Sequence, residues 1–210
     1  MLVENITVGG DGPLLAADLM RPDVGAPLAG VVVCHPHPMY GGTRGSHMVQ
    51  AIARAVVEAH MAALVFDFRG AGESAGDPVA DHTEWTDAVR VLDALQDAVP
   101  PGTPLAICGY SFGAWVALHV GAMDHRVRAV AAVAPGWYLP GDLRGCPVYV
   151  AHPEGDHLTP VPVIADWLTS AGGGELVVVP GADHYLRAEA DDVGRGIADF
   201  LSRALPDGHG

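Results

Sequence analysis

The stretch LAICGYSFGAWVALHV, residues 105–120, runs from a continuous apolar segment straight into a helical pattern, with Gly109-Tyr110-Ser111-Phe112-Gly113 at the junction. A strand that turns at once into a helix forces the corner residue into a strained backbone conformation, and glycine two positions to either side leaves room for the turn. Ser111 would then present its hydroxyl at a helix N-terminus, where the dipole and N–H groups favour developing negative charge. Any Gly-rich turn can contain a serine by chance, but the flanking strand and helix argue against chance here.

Outward from this corner, short β-branched runs alternate with longer stretches of helical period. Near-continuous apolar runs at 30–34, 63–67, 104–109, 127–133, 147–151 and 175–179 read as buried parallel strands. Helical patterns fall between them at about 44–60, 83–98, 112–123, 160–171 and 187–205. The expected class is therefore α/β: a mostly parallel central sheet with helices on both faces. Ahead of it, residues 2–8 and 14–20 flank a GGDGP turn and read as an antiparallel edge hairpin. With 210 residues, half of them hydrophobic, and a mean hydropathy of +0.25, the chain can bury one sizeable core but is short for two, so residues 1–210 are expected to form a single domain.

Twenty-five acidic residues against eleven basic give a formal charge of −14, spread along the chain, which argues against nucleic acid as a partner. No run approaches the roughly 20 apolar residues of a membrane span, and no basic segment followed by an apolar stretch opens the chain. Three cysteines is an odd number, and Cys34 and Cys108 lie in apolar runs, which fits a reducing, cytoplasmic setting.

A serine hydroxyl is a weak nucleophile at neutral pH, so it needs an adjacent base and a third group to hold that base in the right tautomer. Both are present in the expected order. Asp156 lies in HPEGDHLTP after the strand at 147–151, and His184 lies in PGADHYL after the strand at 175–179. Glu154, two residues before Asp156, is a competitor as the acid, and a carboxylate in such a loop can equally be a helix cap. The pair His35 and His37 superficially suggests a metal site, but no further ligand grouping with a recognised spacing accompanies it, so neither metal nor cofactor is expected. Of the other histidines, His157 alone lies near enough to the acid to matter for substrate; the rest, His47 and His152 among them, read as surface or core fillers.

Acyl transfer passes through an oxyanion, commonly held by two backbone N–H groups. Phe112, next after the serine, would supply one. The other would come from the loop His35-Pro36-His37-Pro38-Met39-Tyr40-Gly41-Gly42, where the prolines have no N–H and His37 is the natural donor. Alternatively HPHP is only a rigid turn. The glycine-rich loop at 69–76 lacks the Lys-Ser/Thr ending of a phosphate-binding loop, and Arg69 or Ser74 is expected to tie loops together there.

Five segments in one order, CHPHPMYGG, FRGAGESAG, GYSFGA, DHLTP and GADHY, spanning Cys34 to Tyr185, resemble those of the small, lidless α/β-hydrolases of bacteria. The resemblance implies the α/β-hydrolase fold without a lid domain, carboxylester hydrolysis, and a triad of Ser111, Asp156 and His184. Two departures stand out: HPEGD replaces the commoner HGExD, stiffening that loop, and Asp67 stands where an Asn is usual, which could add negative potential near the site. Only about a dozen residues join the strands at 127–133 and 147–151, where many such enzymes insert a lid. Loop positions suggest that Met39, Tyr40, Phe112, Trp137, Tyr138 and Tyr185 shape an acyl pocket, and an uncovered pocket mouth leaves room for a homodimer partner. The leading expectation is cleavage of a small-molecule carboxylic ester or thioester. Peptidase, lactonase, or tailoring hydrolase or cyclase chemistry fits the same fold. A non-catalytic ligand-binding protein is the alternative of another class, and the intact Ser, Asp and His count against it.

Overall fold

A computed structural model describes residues 1–78, 83–136 and 139–205. Eight strands, β1 (Leu2–Val8), β2 (Leu15–Arg21), β3 (Gly30–Cys34), β4 (Ala62–Phe66), β5 (Leu105–Tyr110), β6 (Val127–Val133), β7 (Val148–Pro153) and β8 (Glu175–Val179), form one sheet in the order β1-β2-β4-β3-β5-β6-β7-β8. β1 and β2 pair antiparallel, β2 joins β4 antiparallel, and every pairing from β4 to β8 is parallel. The hairpin is an edge, as the two runs flanking the GGDGP turn suggested: β1 is largely exposed, whereas β3, β4 and β5 are buried throughout.

Helices α1 (His47–Glu58) and α5 (Ala190–Ala204) cover one face, where Ile52, Val56, Ile197 and Leu201 meet Val31, Ala63 and Ala131 of the sheet. Helices α2 (Trp85–Ala98), α3 (Phe112–Met123) and α4 (Val161–Ser170) cover the other, where Leu92, Leu95, Ala117 and Ile164 pack on Val32, Leu64 and Ile107. Alternate residues of each parallel strand thus enter opposite cores, which explains why these strands are apolar without interruption. α3 is apolar around most of its circumference because it packs against both sheet and α2. The β6–β7 connection, residues 134–147, carries no inserted domain.

From β3 the chain steps outward to β4 and then returns to the other side of β3 as β5. That reversal leaves a crevice at the carboxyl ends of the strands, the usual place for a ligand in an open α/β sheet. The loops after β3, β5, β7 and β8 all open there.

Behind the crevice, Arg44 joins three segments by ion pairs with Asp18 of β2, Asp67 after β4 and Glu73. Asp67 is fully buried and also accepts hydrogen bonds from the backbone N–H of Arg44 (2.7 Å) and Glu73 (3.0 Å). The expected negative potential from Asp67 is corrected accordingly: its charge is neutralised in place by Arg44 and directed at two loop amides. Ser74 and Arg69 do tie loops together. The Ser74 hydroxyl donates to the Asp67 carbonyl (2.6 Å) and accepts from the Ala16 N–H (2.9 Å), and the Arg69 guanidinium pairs with buried Asp87.

Candidate active site

Ser111 sits between β5 and α3 with φ 55° and ψ −114°, a region non-glycine residues rarely occupy, at a cost of order 1–3 kcal/mol. The two flanking glycines are there because backbones touch. A Cβ on Gly109 would overlap the carbonyl of Gly113, and one on Gly113 would overlap the carbonyl of Cys34 at the end of β3. The strain is held by packing, and it lifts the hydroxyl clear of the helix toward the crevice.

Ser111 Oγ lies 2.9 Å from His184 Nε2, and His184 Nδ1 lies 2.8 Å from Asp156 Oδ2. Asp156 and His184 are both buried, at 7% and 8% exposure. Burial by itself would push the Asp156 carboxyl up. The hydrogen bond from His184 outweighs it together with the Leu158 N–H (2.8 Å) and Thr159 N–H (3.3 Å), so the group is held below the ordinary Asp range. An ionised Asp156 fixes the proton of neutral His184 on Nδ1 and leaves Nε2 as an acceptor aimed at the serine hydroxyl. That is the arrangement a hydroxyl nucleophile needs. Glu154 is elsewhere: its Oε2 accepts from the Gly181 N–H (2.9 Å). 

The loop after β3 folds into a 3₁₀ turn, Pro38–Tyr40, capped by the His37 Nδ1, which accepts from the Met39 N–H (3.2 Å). The His37 ring lies 4.8 Å from that of Phe112, so the structure brings together the two residues expected to face an oxyanion. Met39 (71% exposed), Tyr40 (89%) and Tyr185 (52%) are exposed side chains, not buried pocket walls. Trp137 and Tyr138 lie outside the described residues.

The histidine of the HPHP turn nearest the sheet has no capacity left for a metal. His35 is fully buried, donates from Nδ1 to the Pro36 carbonyl (2.6 Å) and accepts at Nε2 from the Phe68 N–H (3.0 Å). No group of three or more His, Cys, Asp or Glu side chains gathers as a metal ion would require among the described residues. Burial lowers the His35 pKa to about 4. Its folded-state value therefore lies below its unfolded value near 6.5, so the unfolded chain binds the extra proton between those limits. Stability from this group is complete above pH 6.5 and falls as pH drops toward 4. Between pH 7 and pH 5 the expected loss is about 2 kcal/mol. Urea unfolding at the two pH values should show it in the native chain, and His35→Gln should show a difference smaller by about that amount; equal differences in both would exclude His35 as the source.

Two residues read as unremarkable in the sequence meet the general-base loop. Tyr110, the variable residue of the serine motif, donates from its hydroxyl to the His184 carbonyl (2.9 Å), and His47 at the start of α1 donates from Nε2 to the Tyr185 carbonyl (3.0 Å). Reading His47 as a filler is thus corrected: it makes a specific bond 138 residues along the chain. His152 is also specific, fully buried and donating to the Thr159 carbonyl (2.7 Å) beside the acid. A tyrosine directly before the serine was the one local signal available; nothing local marks His47 or His152.

A strained serine between β5 and α3, with a histidine and an aspartate from the loops after β8 and β7, defines a serine hydrolase of the α/β-hydrolase fold. Residues 25–144 match the profile of the family described as serine aminopeptidase, S33, and the chain belongs to that family. A lidless α/β serine hydrolase from Xanthomonas campestris is similar in structure, with a TM-score of 0.84 and 25% identity over 97% of this chain and 95% of that one. In sequence, the chain is 27% identical to an uncharacterized protein of Rickettsia prowazekii over 84% of this chain and 79% of that protein. It is also 34% identical to a thiohydrolase of Eupenicillium brefeldianum, over 41% of this chain and 30% of that one. No helix among the described residues is long and apolar enough to cross a membrane.

Proposed function

We propose that this enzyme hydrolyses a small-molecule carboxylic ester or thioester. Ser111 attacks the carbonyl while His184 takes its proton, and His184 then protonates the leaving group as the acyl-enzyme forms. Water, activated by the same imidazole, releases the acid. Asp156 holds the imidazole tautomer and balances the imidazolium that forms transiently. The backbone N–H groups of Phe112 and His37 receive the oxyanion, a role supported by the position of Phe112 at the start of α3 and by the neighbouring rings of the two residues. Met39, Tyr40 and Tyr185 contact the acyl or leaving group.

The observation that carries this reading is the unbroken hydrogen-bond chain Ser111–His184–Asp156. Thioesters stay within the substrate class because of the partial likeness to a thiohydrolase. A single eight-stranded sheet supports treating residues 1–210 as one domain, and two fully buried reduced cysteines, Cys34 and Cys108, support a reducing, cytoplasmic setting. The test is a panel of p-nitrophenyl esters, acyl-coenzyme A thioesters and aminoacyl anilides against the native chain. Turnover of esters or thioesters at least tenfold faster than anilides is expected. Preference for anilides would move the assignment to peptidase chemistry, as the family's description suggests, and stoichiometric binding without turnover would make the chain a binding protein.

A further inference from the structure

The loop that carries His184 runs between β8 and α5 without regular secondary structure, so its own backbone ladder cannot hold it. It is nevertheless buried at its centre: His184 is 8% exposed, and Leu186, with φ +48°, is fully buried in the α1/α5 core. The His184 carbonyl is buried and needs a donor from elsewhere in the fold, while the Tyr185 carbonyl beside it bonds at the exposed edge of the loop. Two side chains reach these carbonyls, one each. The Tyr110 hydroxyl reaches the carbonyl of His184 itself, and the His47 imidazole reaches the carbonyl of the next residue, Tyr185.

We infer that Tyr110 and His47 are positioning residues for the general base, holding the His184 backbone at hydrogen-bonding distance from Ser111. The inference rests on the Ser111–His184–Asp156 reading above. Tyr110 is the stronger of the two. It is the last residue of β5, directly before the nucleophile, so one rigid strand end sets both the serine and the height of the imidazole that activates it. Its ring stacks on the His184 ring, with centroids 6.0 Å apart and 29° between planes. The hydroxyl is a dependable donor: burial pushes its pKa up to about 12, and the nearby Asp156 and Asp183 charges push the same way. His47 closes the group from the other side, its ring 6.1 Å from that of Tyr110 and at 76° to it. Within the loop the Asp183 carboxylate accepts from the Tyr185 N–H (2.9 Å), and two residues before His184 the Ala182 carbonyl is tied to the acid loop by the Gly155 N–H (2.9 Å), so Tyr110 and His47 hold the part of the loop that this backbone tie leaves free.

Removing the Tyr110 hydroxyl leaves the His184 carbonyl without its donor and lets the imidazole drift from Ser111 Oγ. Proton transfer depends steeply on that separation, whereas substrate contacts do not. The loss should therefore fall on kcat and not on KM.

The test uses the full chain with p-nitrophenyl acetate as substrate and a fluorophosphonate as covalent probe of Ser111. Tyr110→Phe is expected to lower kcat about tenfold with KM within about twofold, and to slow the maximal labelling rate by a similar factor. His47→Ala is expected to lower kcat about threefold, and His47→Gln, whose amide can still donate, to recover at least half of that loss. A folded Tyr110→Phe with kcat within twofold of native, or with its change confined to KM, overturns the inference. Should Tyr110→Phe not fold, the His47 pair decides, and equal kcat for His47→Ala and His47→Gln overturns it. A native chain that takes no label at all would instead defeat the triad reading on which the inference rests.

Discussion

Ser111→Ala is expected to lower kcat on the order of 10⁶-fold and to abolish fluorophosphonate labelling, while leaving the fold intact. The reason is positional as much as chemical. The other serines lack the combination found here of a histidine Nε2 at 2.9 Å and a helix N-terminus directly behind the oxygen. Removing the hydroxyl leaves the oxyanion site and pocket to supply only what a bound water could use. Stability should barely change, because alanine keeps the Cβ in the same strained backbone at φ 55°. Ser111→Gly, by contrast, releases the strain and is expected to stabilise the inactive protein by about 1 kcal/mol, a few degrees in Tm for a chain of this size. Kinetics, intact-protein mass spectrometry and thermal unfolding of the three proteins check both halves. Labelling that persists in Ser111→Ala would place the nucleophile elsewhere.

Asp156→Asn is expected to cost about 10⁴-fold in kcat at neutral pH. Asp156 uses one oxygen, Oδ1, to accept the Leu158 and Thr159 N–H groups and the other, Oδ2, to accept from His184 Nδ1. An asparagine must keep its carbonyl on the two backbone donors, which turns its NH₂ toward His184. The imidazole then accepts at Nδ1 and carries its proton on Nε2, facing Ser111 as a donor when an acceptor is needed. The damage is to the tautomer, so KM should change little. Glu154→Gln serves as the contrasting variant. The Glu154 carboxylate accepts the Gly181 N–H at the loop surface, which an amide oxygen can also do, and kcat within about threefold of native is expected. If Glu154→Gln instead gave the 10⁴-fold loss, the acid would be misassigned.

Most of the fold was legible because its signals are local. The strands at 30–34, 127–133 and 175–179 and the helix at 112–123 fall where the apolar runs and their periods put them, and the remaining boundaries differ by a few residues. Burial on both faces makes a parallel strand uniformly apolar, and that pattern recurs at each of the central strands. The largest difference at a strand is β7, which continues to Pro153 instead of stopping at 151 and so carries His152 into the sheet. A proline there is permitted because it ends the strand.

The sequence by itself determined the strand–serine–helix corner, the glycines that allow it, and the chain order Ser, Asp, His. Each of these is written in neighbouring residues through φ/ψ limits, side-chain size and hydrophobic period. Only the tertiary structure decided which of two nearby carboxylates faces His184, that Asp67 is neutralised by Arg44, and that Tyr110 and His47 grip the loop of the base. Those contacts join residues 28, 23, 74 and 138 positions apart. Their partners are chosen by where the β3–β5 crossover and the flanking helices bring loop ends together, and no local propensity records that meeting.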